Sequence, residues 1–111
     1  MEAGRFPVNV AKNAGGSFRL DGKNAVITGA GSGIGQAIAF RFAAQGAKIH
    51  VVDLNEHAAK ETSEKIGSES GAASYHICDV TSQSAVKSTF EQLFRQERIH
   101  VLVNKDRKSV V

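Results

Sequence analysis

The sequence predicts an α/β fold: a doubly wound parallel sheet, truncated after its fourth strand, with elements in the order β-α-β-α-β-α-β. Three observations carry this. Short apolar runs rich in β-branched residues alternate with longer segments of helical period. Polar caps and glycine stops punctuate those segments. A glycine cluster marks the turn from the first strand into the first helix. Strands that alternate with helices of this length pair in parallel through right-handed crossovers.

The elements follow in chain order. Ala25-Val26-Ile27 is a short buried strand stopped by glycines. From Gly33 the period changes: Ile34, Ala37, Ile38 and Phe42 share one helical face, and Gly46 is the stop. Lys48-Ile49-His50-Val51-Val52 is a second buried strand ending at Asp53. Asn55 can cap a helix whose inner face is Ala58, Ala59, Thr62 and Ile66, with Gly67 as its stop. A third strand covers about Ala73 to Cys78. Thr81 or Ser82 caps a third helix with the stripe Val86, Phe90, Leu93 and Phe94. Ile99-His100-Val101-Leu102-Val103 is the last strand. Right-handed crossovers place the first two helices on one face and the third on the other, giving strand order 3-2-1-4. One helix cannot cover a face of four parallel strands, and the fourth strand is left as an apolar edge, so this stretch is expected to be poorly stable alone.

Composition narrows the function classes. The 111 residues are 41% hydrophobic with a net charge of +3, and the sequence pI is about 9.2. Lys and Arg are scattered among acids, with no basic stripe and little aromatic interleaving, so a nucleic-acid partner is not expected. The single cysteine, Cys78, excludes an intrachain disulfide and suits a reducing, cytoplasmic setting; the run Tyr75-His76-Ile77-Cys78 makes it a small buried hydrophobe. Met1 to Phe18 lacks an apolar centre and reads as a flexible leader rather than a signal peptide. The longest uncharged run, Asn24 to Phe40, is interrupted by glycines and does not suit a bilayer span, so no membrane association is expected. His50, His57, His76 and His100 lack metal-ligand spacing with a second acid or cysteine, and no metal site is expected.

The chemistry gathers at Thr28-Gly29-Ala30-Gly31-Ser32-Gly33-Ile34-Gly35. A pyrophosphate suits this turn, because the helix's first N–H groups and its dipole favour negative charge and glycines remove side chains from the approach. The spacing is G-x-x-x-G-x-G on Gly29, Gly33 and Gly35, not the common G-x-G-x-x-G. What raises the signal is context: the cluster follows a strand, opens a helix, and is followed by an acid at the end of the next strand. That acid, Asp53, can accept hydrogen bonds from the adenosine ribose and would repel a 2′-phosphate. Neither Ser32 nor Leu54 is the basic residue that could neutralise such a phosphate, so NAD is expected over NADP. The bland alternative is that Asp53 caps the following helix, although Asn55 is also placed to do so. Asp79-Val80 closes the third strand; Asp79 could bond the adenine amino group with the Val80 backbone against the ring, or it could simply form the turn before Thr81.

Thr28-Gly29-x-x-x-Gly33-Ile34-Gly35, Asp53, Cys78-Asp79-Val80 and Val101-Leu102-Val103-Asn104 together resemble the short-chain dehydrogenase/reductase family, over about Phe18 to Asn104. The resemblance implies a Rossmann-like cofactor domain and an NAD(P)-dependent oxidoreductase acting on an alcohol or carbonyl group. It makes Asp79 and Val80 adenine contacts and places Asn104 at the start of the family's Asn-Asn-Ala-Gly loop. With Ser32, Ile34 and Leu54 beside the glycines and Asp53, these are the expected cofactor-binding residues. The resemblance also implies a homo-oligomeric full-length protein; the present stretch is not expected to assemble.

Beyond Asn104 the pattern departs, because Lys105-Asp106-Arg107 stands where Asn-Ala-Gly belongs. The family's catalytic Ser and Tyr-x-x-x-Lys have no counterpart: the one tyrosine, Tyr75, is followed four residues on by Asp79. A catalytically silent piece of a dehydrogenase is therefore expected, against the alternative of a stand-alone nucleotide-binding or interaction module. Residues 105–111 are expected to be a non-native tail. A common sequencing adapter, AGATCGGAAGAGCGTCGTGTAG, read from its second base encodes Asp-Arg-Lys-Ser-Val-Val and a stop, which matches residues 106–111. Its first base would turn a codon cut after AA into the Lys105 codon.

Overall fold

The computed structural model describes residues 19–69 and 71–104. The leader 1–18 and the tail 105–111 lie outside the described residues. The elements are β1 (Asn24–Thr28), α1 (Gly33–Ala44), β2 (Lys48–Asp53), α2 (Glu56–Ser68), β3 (Ala72–Ile77), α3 (Gln83–Gln96) and β4 (Val101–Asn104). All pairings are parallel and the sheet order is β3-β2-β1-β4, as the crossover argument requires. Thr28 stands level with Val52 and with Asn104, so the ends of the three strands form one ledge.

Alternation along the strands divides the apolar residues between two faces. Ala25, Ile27, Ile49 and Val51 point to the side of α1 and α2, where Ala39, Ala59 and Ile66 meet them. Val26, Val52, Cys78 and Val80 lie on the other side with Phe90 and Leu93 of α3. The inner strands β1 and β2 are buried on both faces, which is why they read as continuous apolar runs. Each fully buried Ile or Val there contributes roughly 1.5–3 kcal/mol of transfer free energy.

Several boundaries differ from the pattern. α2 runs through Gly67 to Ser68, because Glu69 supplies the C-cap. β3 starts and ends one residue earlier than read from the sequence. β4 begins only at Val101; Ile99 packs under α3, and His100, just outside the strand, donates its N–H to the Asn24 carbonyl at 2.9 Å. Two stripe residues are not inside: Ile34 is 45% and Phe94 57% exposed. The helix begins at the strand ends, so its first turn overhangs the ledge, and the residues buried on α1 are the small ones, Gly35 and Ala39. Phe94 stacks edge-on against Phe90 with ring centroids 5.9 Å apart, at the rim of the face that α3 covers. Cys78 is buried, as its neighbours suggested. Among the described residues, no helix is long and apolar enough to cross a membrane.

The face under α3 also holds a polar cluster. His50 is only 2% exposed. Its Nε2 lies 3.3 Å from Asn24 Oδ1, an acceptor, so Nε2 carries the proton. Nδ1 then accepts from Ser74 Oγ at 3.0 Å, and Ser74 Oγ lies 3.2 Å from His76 Nε2. Burial, with the nearby Lys48 and His76 charges adding to it against Glu97, pushes His50 from 6.5 down to about 4. Lys48 and Glu97 form an ion pair below it.

Candidate dinucleotide-binding site

The expected cofactor residues converge on the carboxyl edge of the sheet. The glycine turn leaves β1, Asp53 ends β2, Asp79 follows β3, and Asn104 ends β4. This edge, beside the place where the chain reverses from β1 outward to β4, is where open α/β sheets bind ligands.

The turn is shaped by backbone demands. Gly29 (φ +68) and Gly33 (φ +59) occupy the left-handed region that glycine alone enters cheaply. A Cβ on Gly35 would collide with the Gly29 carbonyl, so α1 packs directly on the turn that precedes it. At the N-cap of α1, Ser32 is extended (φ −160, ψ 169) and its side chain makes no capping hydrogen bond. A helix's first N–H groups have no intrahelical partner, so this turn presents donors outward. The first turn of α1 also lacks an acidic residue that would oppose an anion.

Asp53 is committed to shaping the turn rather than to capping a helix. Its Oδ2 accepts from the Gly31 N–H at 2.8 Å and its Oδ1 from the Asn55 N–H at 3.0 Å. The cap of α2 is Asn55, whose side chain accepts from the Ala58 N–H at 3.0 Å. Beside Asp53, Leu54 is 66% exposed. Gly31 itself was not singled out from the sequence. A Cβ there would come within 2.7 Å of Asp53 Oδ2 and 2.8 Å of Ala58 Cβ, so this glycine is required by close approach. The signal was present in its place between Gly29 and Gly33, but the register of the family-like spacing passes over it.

Asp79 sits in the turn that leads to α3. Its Oδ1 accepts from the Thr81 hydroxyl at 2.6 Å and the Thr81 N–H at 3.0 Å, which holds the carboxyl below its ordinary range. Ser82, not Thr81, is the cap of α3. Val80 is buried against the α3 face. Asn104 Oδ1 accepts from the Thr28 hydroxyl at 3.0 Å, tying the end of β4 to the start of the turn. Cavities of about 440 and 630 Å³ open elsewhere, between α1 and α2 and at the amino end of the strands. They gather none of these donors and acceptors, so the candidate site is the open ledge.

The features of this ledge fit a dinucleotide: two left-handed glycines, two positions closed to a Cβ, an outward-facing helix start and an acid one strand away. The family model described as short chain dehydrogenase matches residues 23–105. The chain belongs to the short-chain dehydrogenases. It is 43% identical over 88 residues to a D-threitol dehydrogenase of Mycolicibacterium smegmatis, a match covering 78% of this chain and 34% of that protein. The solved structure of a 7α-hydroxysteroid dehydrogenase complexed with NADH and 7-oxo glycochenodeoxycholic acid superposes with a TM-score of 0.75 at 39% identity, over 79% of this chain and 35% of that one. A metagenomic short-chain oxidoreductase in complex with NADP superposes at 0.73 and 30% identity, over 75% and 38% of the two chains. The chain thus spans about a third of the length of the curated relatives it matches. Its order of strands and its dinucleotide-binding fold are those of the short-chain dehydrogenases.

Proposed function

We propose that this chain is the NAD-binding part of a short-chain dehydrogenase whose full-length form transfers hydride between NAD(H) and an alcohol or carbonyl substrate. The observation that carries the cofactor reading is Asp53, held at the end of β2 by the Gly31 N–H with exposed Leu54 beside it. Gly29, Ser32, Gly33, Ile34 and Gly35 would receive the pyrophosphate, and Asp53 the ribose hydroxyls. Asp79 and Val80 would border the adenine, and Asn104 would hold the turn to β4 from the nicotinamide side. NAD, when bound, supplies the hydride acceptor. An acid at the ribose position disfavours the 2′-phosphate of NADP by like-charge repulsion and desolvation.

The chain itself supplies no Tyr-x-x-x-Lys, so we assign it binding and no turnover. We place it in the cytoplasm, in keeping with a single buried cysteine, and read the full-length form as a homo-oligomer. The test is calorimetric titration of the full-length form with NADH and NADPH. NADH should bind more tightly, and Asp53→Ala should weaken NADH binding and narrow the gap. Equal affinity for the two nucleotides would overturn the preference. Hydride transfer by the 111-residue chain with any alcohol would overturn the assignment of binding alone.

A further inference from the structure

The glycine turn is held from behind by a group that lies on neither of its flanking elements. Thr62, in the middle of α2, is fully buried. A buried hydroxyl needs partners, and this one has two from different parts of the chain. It accepts from Gln36 Nε2 of α1 at 3.0 Å and donates to the Gly31 carbonyl at 3.4 Å. Across the Gly31 Cα, the N–H of the preceding peptide unit is given to Asp53 Oδ2 at 2.8 Å. The two peptide units that meet at Gly31 are thus pinned from opposite sides, one by the Thr62 hydroxyl with Gln36 behind it and the other by the Asp53 carboxylate. Ala58, one turn before Thr62 on α2, closes the remaining space beside Gly31.

We infer that Thr62, supported by Gln36, is a positioning residue for cofactor selection: it fixes the backbone at Gly31, and the N–H on the other side of that Cα sets the carboxylate of Asp53. This rests on the reading of Asp53 as the ribose acceptor. The test compares, in the full-length form, the unmodified sequence with Thr62→Val, which keeps the shape and removes the hydroxyl, and Thr62→Ser, which keeps the hydroxyl. Thr62→Val should raise the Kd for NADH about three- to tenfold, the worth of one neutral hydrogen bond, and narrow the NADH/NADPH ratio. Thr62→Ser should restore both. Ile66→Val, which loosens the same helix without touching these bonds, should leave the ratio where it was. A second readout needs no nucleotide: the Gly31 amide resonance should shift and exchange faster with solvent in Thr62→Val and return in Thr62→Ser. An unmoved Gly31 amide overturns the positioning whether or not nucleotide binds. An unmodified full-length form that binds neither nucleotide overturns the cofactor reading instead. An unchanged ratio in Thr62→Val, or an equal change in Ile66→Val, overturns the role in selection.

Discussion

The carboxyl edge of the sheet and the face under α3 treat polar groups in opposite ways. Under α3, Asn24, His50, Ser74 and His76 turn inward and satisfy one another, and the Asn24 N–H reaches His100 Nδ1 at 3.0 Å. At the carboxyl edge three helices begin, and they begin differently. α2 and α3 are closed by the side chains of Asn55 and Ser82, whereas Ser32 leaves the start of α1 without a side-chain cap. The open helix start is therefore a local property of the glycine turn and not a general habit of this chain. Hydrogen-bonding capacity is consumed within the cluster under α3 and left outward at the glycine turn, where the proposed pyrophosphate would sit.

The largest test of this contrast is a pair of glycines. Gly35→Ala drives a Cβ into the Gly29 carbonyl and should cost about 3 kcal/mol, with loss of nucleotide binding. Gly67→Ala meets nothing within 4 Å and should be neutral or stabilise α2 by up to about 1 kcal/mol. Urea titration of the two variants separates them. Similar costs would show that the turn on α1 is no tighter than the end of α2.

The inward cluster should announce itself in the pH dependence of folding. His50 is held at about 4 against an ordinary 6.5, so the unfolded chain takes up its proton first. The stability it contributes is complete above about pH 6.5 and is lost as pH falls toward about 4. The loss should be on the order of 3 kcal/mol across that window. Burial lowers His76 as well, in the same direction. His50→Asn should flatten this limb of a stability-against-pH curve; an unchanged limb would locate the proton uptake elsewhere.

The smallest effects lie at the helix starts. Asn55→Ala removes a cap from α2 and should cost about 1 kcal/mol. Ser32→Ala removes no capping bond and should change stability by less than about 0.5 kcal/mol. Thermal melts of both variants make the comparison, and an equal loss would mean that Ser32 caps α1 after all.

Much of this was legible along the chain. Periods of two and three-and-a-half residues, caps and glycine stops are local quantities, so the seven elements, their parallel order and the glycine turn with Asp53 beyond it followed from the sequence alone. The tertiary structure decided what local patterns do not encode. Periodicity put Ile34 on the inner face of α1, but the overhang of its first turn exposed it and left burial to Gly35 and Ala39. Asp53 and Asn55 were both eligible caps for α2. Only the approach of the turn to β2 gave Asp53 to Gly31 and the cap to Asn55. Thr62 read as one more position on a helical stripe. Its hydroxyl acquired a role because folding set α2 against Gln36 and Gly31, 26 and 31 residues away in the chain. Contacts between groups so far apart depend on how closely elements pack, and that distance is set by three-dimensional fit rather than by any pattern that runs along the sequence.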